Sequence, residues 1–252
     1  MTACAEPTGS NLLDALRPAD RALLAPHLRE VACESGHVLY HPGDDVTHCY
    51  FPRHEAVASY HVHMIGGSAV ETAVVGREGA IGGIVSQGRL PAFARACVMH
   101  KGSFYRIGSG ELHRLKEQSA AMAALFARYA DCMVAQILQS AACNASHTIL
   151  QRTAKWLLAA MDRTGMERIA MTQDQLGSVL GVGRTYVSRV IRRLKDTDMV
   201  EVRRGVIVVR DRAGVEGLSC DCSAQVARHF ETVLRGVYPS PEDANCQSPE
   251  SG

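Results

Sequence analysis

Eight side chains stand out for the chemistry they could do together: Arg184, Thr185, Ser188, Arg189, Arg192 and Arg193 in one short stretch, and Arg203 and Arg204 soon after. Guanidinium groups hold phosphate oxygens and, in bidentate geometry, read guanine edges, while serine and threonine hydroxyls both donate and accept. From Arg184 to Lys195 there are five Lys/Arg and no acid before Asp196, a local charge of +5 on a chain whose formal total is +1. By default a basic run is only a solvated face. Here the flanking pattern argues for more.

Those side chains need an element to present them, and the spacing predicts one. Thr172 and Gln175 stand at capping-box separation, so a helix should begin there, with Leu176, Val179 and Leu180 on its apolar face. Gly181-Val182-Gly183 supplies the turn. Val187, Val190, Ile191 and Leu194 then follow the i, i+3, i+4, i+7 rhythm of a buried stripe, which puts Arg184, Thr185, Ser188, Arg189 and Arg192 on the opposite face. A capped helix, a glycine turn and a second helix with a cationic outer face form a helix-turn-helix, whose second helix fits the major groove. Val200 and Val202, the turn Arg203-Arg204-Gly205, and Val206 to Val209 add a hairpin with a basic tip, the wing of a winged helix-turn-helix.

The rest of the chain has a different texture. Leu12, Leu13, Leu16, Leu23, Leu24 and Leu28 suggest two short helices punctuated by Pro18 and Pro26. From Val38, short β-rich runs (Val38 to Tyr40, His48 to Phe51, Ala56 to Met64, Val70 to Val75 and Cys97 to His100) alternate with turn residues such as Pro42-Gly43-Asp44, Gly66-Gly67 and Lys101-Gly102, the pattern of an antiparallel sandwich or roll. Ser119 to Asn144 is alanine-rich and free of proline and glycine, which predicts a long helix. Met122, Phe126, Tyr129, Met133 and Ile137 form an apolar edge along it, with Leu125, Cys132 and Leu138 beside them. Such a surface could pack on the roll, on the same helix of a second subunit, or on both. A further helix is expected from His147 to Met161, and Ser223 to Arg235 has the pattern of a short one. The expected fold class is therefore α+β, with a β-roll domain over 1–118, a dimerisation helix over 119–145, a winged helix-turn-helix over 146–213 and a partly flexible C-terminal extension over 214–252.

Composition narrows the function. At 252 residues and 46% hydrophobic content the chain can bury a core. No apolar run is expected to approach the about 20 residues of a membrane span, and Met1 to Asn11 lacks the basic and apolar regions of a signal peptide, so a cytoplasmic protein without a membrane partner is expected. Nine cysteines form no repeated C-x-x-C pattern, and most read as small buried hydrophobes. Cys220-Asp221-Cys222 is half a metal site at most. His61 and His63 share a face of a predicted strand, with His37, His41, His48 and His54 nearby, and haem or a metal there is the alternative left open, two ligands short of a closed site. An iron-sulfur cluster needs about four closely spaced thiolates near the N-terminus, where only Cys4 lies, and the alternative kept for the function is a haem- or redox-sensing regulator with its effector unknown. There is no nucleophile with a matching base and no phosphate-cradling loop, so an enzyme is not expected. A ligand-binding module whose helices make only protein contacts is the competing class, separable by retention on duplex DNA.

The order of elements, with Pro42-Gly43-Asp44, the segment Gly76-Arg77-Glu78-Gly79-Ala80-Ile81-Gly82-Gly83, and above all Thr172 to Gly177 and Gly183 to Val190, resembles the Crp/Fnr superfamily of bacterial transcription regulators. The resemblance spans roughly Leu12 to Asp211. It implies a homodimer that binds a pseudo-palindromic duplex site, with RNA polymerase as a further partner if the protein is an activator. In members that bind cyclic nucleotides, a glycine followed by glutamate contacts the ribose, and an Arg-Ser or Arg-Thr pair neutralises the cyclic phosphate. Here Gly83 follows Gly82, and Ala94 takes the arginine's place, with Arg95 one position along, so cyclic AMP is not expected to bind. Relatives also carry a glutamate where this chain has Thr185, which implies a different base preference at that contact.

Overall fold

The computed structural model describes residues 7–65, 69–86 and 88–235. The expected turn at Gly66-Gly67, and the tail from Tyr238, lie outside them. Helices α1 (Asn11–Asp14) and α2 (Pro18–Leu24) and a 3-10 turn (Ala25–His27) lead into eight strands: β1 (Arg29–Cys33), β2 (Val38–Tyr40), β3 (His48–Pro52), β4 (Val57–His63), β5 (Ala69–Val75), β6 (Ile81–Gly82), β7 (Arg95–His100) and β8 (Gly102–Gly108). They form two four-stranded sheets, ordered β1-β8-β3-β6 and β2-β7-β4-β5 and antiparallel throughout, so the expected roll is present. Its core joins Cys33, Tyr40, Ala58, Val75, Ile81, Val98 and Phe104.

Helix α3 (Ser109–Gln118) turns the chain into α4 (Ala120–Ser146), whose first free amides are capped by Ser119: its hydroxyl accepts from the Met122 amide at 3.1 Å. The inner edge of α4, Met122, Leu125, Phe126, Tyr129 and Cys132, is fully buried against the roll and against a later helix. Of the destinations open to this apolar edge, the chain's own roll and α9 take most of it, while Ile137 stays exposed. What remains open is another seam. Ala124, Ala127, Asp131, Val134, Leu138, Ala141 and Ala145 recur at alternating steps of three and four, and all are exposed, Leu138 at 65%. Among the described helices, α4 alone is long and apolar enough to cross a membrane by composition. Its buried inner edge and this regular outer seam account for that apolarity.

Helix α5 (Ile149–Thr164), capped by a Thr148–Gln151 box, opens the C-terminal domain. Then come β9 (Arg168–Ala170), α6 (Gln173–Leu180), α7 (Arg184–Asp196), β10 (Val200–Arg203), β11 (Val206–Val209), α8 (Arg212–Leu218) and α9 (Cys222–Arg235). The last three strands form one sheet, ordered β10-β11-β9. Leu157, Ile169, Leu176, Val187, Ile191, Leu194 and Ile207 make this domain's own core. Helix α9 folds back along α4: Phe230 meets Tyr129 edge-on, with ring centroids 6.2 Å apart, and Arg128 donates to the Val233 carbonyl at 2.9 Å.

Candidate nucleic-acid interface

The two-helix unit forms as its residues dictate. The Thr172 hydroxyl accepts from the Gln175 amide at 3.2 Å, the Gln175 side chain accepts from the Thr172 amide at 2.8 Å, and α6 ends on Gly181 in the left-handed region. Helix α7 then presents Val187, Ile191 and Leu194 inward. At 100° per residue, Thr185, Arg189 and Arg192 project away from that core, and all three are exposed. Gly183 at the N-cap offers no side chain, so the first amides of α7 are free to meet an anion beside Arg184.

The predicted contacts are not equivalent. Arg184 sits 3.5 Å from Asp174, both largely exposed, a pairing worth little in water. Ser188 is half-buried and donates to Gln173 Oε1 at 2.8 Å, so its hydroxyl first serves to fix α7 on α6. Arg189, Arg192, Arg193 and Arg204 have no ion pair among the described residues. At the wing, Val200 to Arg203 pair with Val209 to Val206, and Arg204-Gly205 forms the two-residue turn with φ of 36° and 80°. Arg203 is drawn back onto Glu201, which also takes Arg210 at 2.6 Å. Arg204 stands at the tip without a carboxylate. The sequence reading passed over Tyr186, which is 54% exposed with its ring 5.7 Å from the Arg189 guanidinium. Its flank position on α7, next to the cationic face, was the available signal.

In the roll, the glycine-rich segment is occupied by the protein itself. The Tyr129 hydroxyl donates to the Ala80 carbonyl and accepts from the Ala80 amide, both at 2.9 Å. A Cβ on Gly79 would lie 2.3 Å from that hydroxyl. Gly82 has φ +112°, its amide donates to the Tyr60 hydroxyl at 3.1 Å, and a Cβ there would meet the His48 carbonyl at 2.3 Å. These glycines are explained by close packing of tyrosines and backbone. Lys116 closes the far side, donating to the Ile84 and Val85 carbonyls at 2.7 and 2.9 Å.

The C-terminal domain docks on β5 and the start of this segment. Trp156 Nε1 donates to Glu71 Oε1 at 3.1 Å, and burial pushes the Glu71 carboxyl up to about 7. Burial likewise raises Glu78, but the Arg163 guanidinium at 2.9 Å and the Gly76 amide more than offset it and hold that carboxyl below its usual range. Gly181 packs on Val70. A cleft of about 430 Å3 opens between β5, α4, α5 and α9, bordered by both signs of charge, Glu78 and Asp162 against Arg77, Arg152, Lys155 and Arg163.

The histidines do not gather: His61 binds Ser59 at 2.7 Å within its own strand, where burial lowers its pKa, and His63 at the end of that strand is exposed. Cys220 and Cys222 have further donor side chains beside them. Folding brings Cys143 and His147, from the end of α4, to them. The signal in the sequence was Cys143 and His147 four residues apart on one helix edge.

Residues 151–218 match the family of Crp-like helix-turn-helix domains. The chain has the fold of a Crp/Fnr-type regulator. The likeness extends to a protein from Eubacterium rectale assigned to the crp/fnr family of transcriptional regulators, at TM-score 0.66 and 16% identity over 84% of this chain and 99% of that one. FixK2 from Bradyrhizobium japonicum gives TM-score 0.64 at 16% identity, over 77% and 98%. The c-di-GMP-responsive global regulator CLP from Xanthomonas campestris gives 0.60 at 13%, over 77% and 100%. No curated protein matches the sequence. At such identities what is shared is the fold: roll, long helix and reading domain in the same order.

Proposed function

We propose that this chain is a sequence-specific DNA-binding transcription regulator that acts in the cytoplasm as a homodimer on a pseudo-palindromic site. The observation that carries the reading is the outer face of α7, where Thr185, Arg189 and Arg192 stand exposed opposite a buried stripe, beside a helix N-terminus without a side-chain cap. Arg189, Arg192 and Thr185 reach base edges, Arg184 and Ser188 meet bases or phosphate near the start of the helix, and Arg193, Arg203 and Arg204 hold phosphate. The α4 seam supports the dimer. Its alternating steps of three and four match a parallel coiled coil, which would set two α7 helices one turn of DNA apart, about 34 Å. RNA polymerase is a further partner if the protein activates.

The roll serves as a signalling domain without cyclic AMP. Tyr60 and Tyr129 occupy the glycine-rich segment, Lys116 holds the carbonyls just after it, and no glutamate follows Gly82. Selection from a random duplex library tests the whole reading. A two-fold symmetric consensus, bound far more tightly than random duplex and with an affinity unaltered by cyclic AMP, is the expected result; equal affinity for every duplex refutes it.

A further inference from the structure

At the joint between α4 and the reading domain, Cys143, His147, Cys220 and Cys222 bring three sulfurs and one imidazole nitrogen together, all within 4.8 Å of one another. We propose that these four side chains form a tetrahedral site for one zinc ion. The distances fit that ion. Sulfurs about 2.3 Å from zinc at tetrahedral angles stand about 3.8 Å apart, and a sulfur and an imidazole nitrogen about 3.5 Å apart. Cys143 Sγ and Cys220 Sγ are 3.7 Å apart, and Cys222 Sγ is 3.5 Å from His147 Nδ1. A cluster of two or four irons would have to spread its ligands wider than this group allows. Three thiolates and an imidazole are the donor set that selects zinc among the common divalent ions.

The surroundings are those of a built site. Cys143 and Cys222 are 1% and 2% exposed, so the ion would be shielded from water on that side. Lys155 Nζ lies 3.3 Å from Cys143 Sγ, and Gln139 Nε2 donates to Cys222 Sγ at 3.2 Å. Such hydrogen bonds orient thiolates around a metal. The charge also closes: three thiolates and a divalent ion leave one negative charge, which the Lys155 ammonium balances. Two ligands come from the last turn of α4 and its C-cap, and two from the start of α9 and the residue pair before it. The ion therefore pins α9 to the junction where α4 passes into α5. It is a clamp at the hinge between the long helix and the DNA-reading domain.

The test uses the full chain, reduced, stripped with a chelator and titrated with Co2+ as a spectroscopic stand-in, then with Zn2+. Expected are thiolate-to-cobalt charge-transfer bands and intense tetrahedral d–d bands that saturate at about one equivalent and are displaced by zinc. Zinc should also raise the melting temperature, because it binds the folded chain. His147→Ala, at a half-exposed position, and Cys222→Ser should each weaken or abolish the bands, whereas Cys33→Ala, remote from the site, should keep them. A folded, reduced chain that develops no cobalt spectrum overturns the proposal, as does a cobalt spectrum unchanged in His147→Ala and Cys222→Ser. None of these readouts involves DNA, so they stand apart from the test of the regulator reading.

Discussion

The glycine-rich segment of the roll and the outer face of α7 both carry backbone and polar groups of the kind that bind anions, yet the protein treats them oppositely. Around Gly79 and Gly82 the amides and carbonyls are met from within, by the hydroxyls of Tyr129 and Tyr60 and the ammonium of Lys116. On α7 the first amides have no side-chain cap, and Arg189 and Arg192 have no carboxylate among the described residues. A polar group satisfied internally gains little from a ligand, because binding must first break what it has. The difference teaches which of the two surfaces leaves polar groups without a partner among the described residues. Tyr129 lies on α4, the helix that runs from the glycine-rich segment to the junction with α5.

The comparison can be broken at several points. The largest effect is expected from Leu138→Glu, which places a charge in the α4 seam. A monomeric chain in sedimentation equilibrium should accompany an operator affinity lower by about 10²–10⁴-fold, the avidity of the second half-site. A dimer that persists would remove the coiled-coil seam from the account. Next comes Arg189→Ala, expected to cost about 1–3 kcal/mol on the selected operator and much less on random duplex. Arg193→Ala should lower both by a similar, smaller amount; gel-shift titrations on the two duplexes separate these cases.

A third experiment concerns the docking of the two domains. Glu71 rises from 4.5 to about 7 where it is buried against Trp156, so the docked form holds a proton that a solvated carboxyl would release. Docking is therefore strongest below about pH 4.5 and weakens as pH rises through 7, the docked value. Trp156 is the single tryptophan of the chain, and its fluorescence should titrate with a midpoint near 7. Glu71→Gln keeps the indole hydrogen bond and should flatten that titration. The smallest effect belongs to the wing. Removing Arg204 should reduce the salt slope of DNA binding by about 1, while Arg203, held by Glu201, should change it less.

Much of this was legible in the sequence because it rests on local rules. The Thr172–Gln175 box, the Gly181 turn and the Val187, Ile191, Leu194 stripe each involve residues within one or two turns of one another, and all formed as read. Short strands were harder. The sequence reading missed β1, β6, β8 and β9, since a two- to seven-residue strand owes its existence to partners far along the chain, as β1 does to β8. The destination of the α4 stripe was likewise undecidable from periodicity, because a stripe gives a face and not the surface that covers it.

By itself the sequence determined the helix-turn-helix unit and its charged face. Only the tertiary structure decided that α9 folds back on α4, that Tyr60 and Tyr129 occupy the glycine-rich segment, and that Cys143 and His147 meet Cys220 and Cys222 across more than seventy intervening residues. The physical reason is the same in each case. Helix caps, turns and stripes are set by neighbours in the chain, whereas a ligand set assembled from two distant segments exists only once packing has chosen which helices lie side by side.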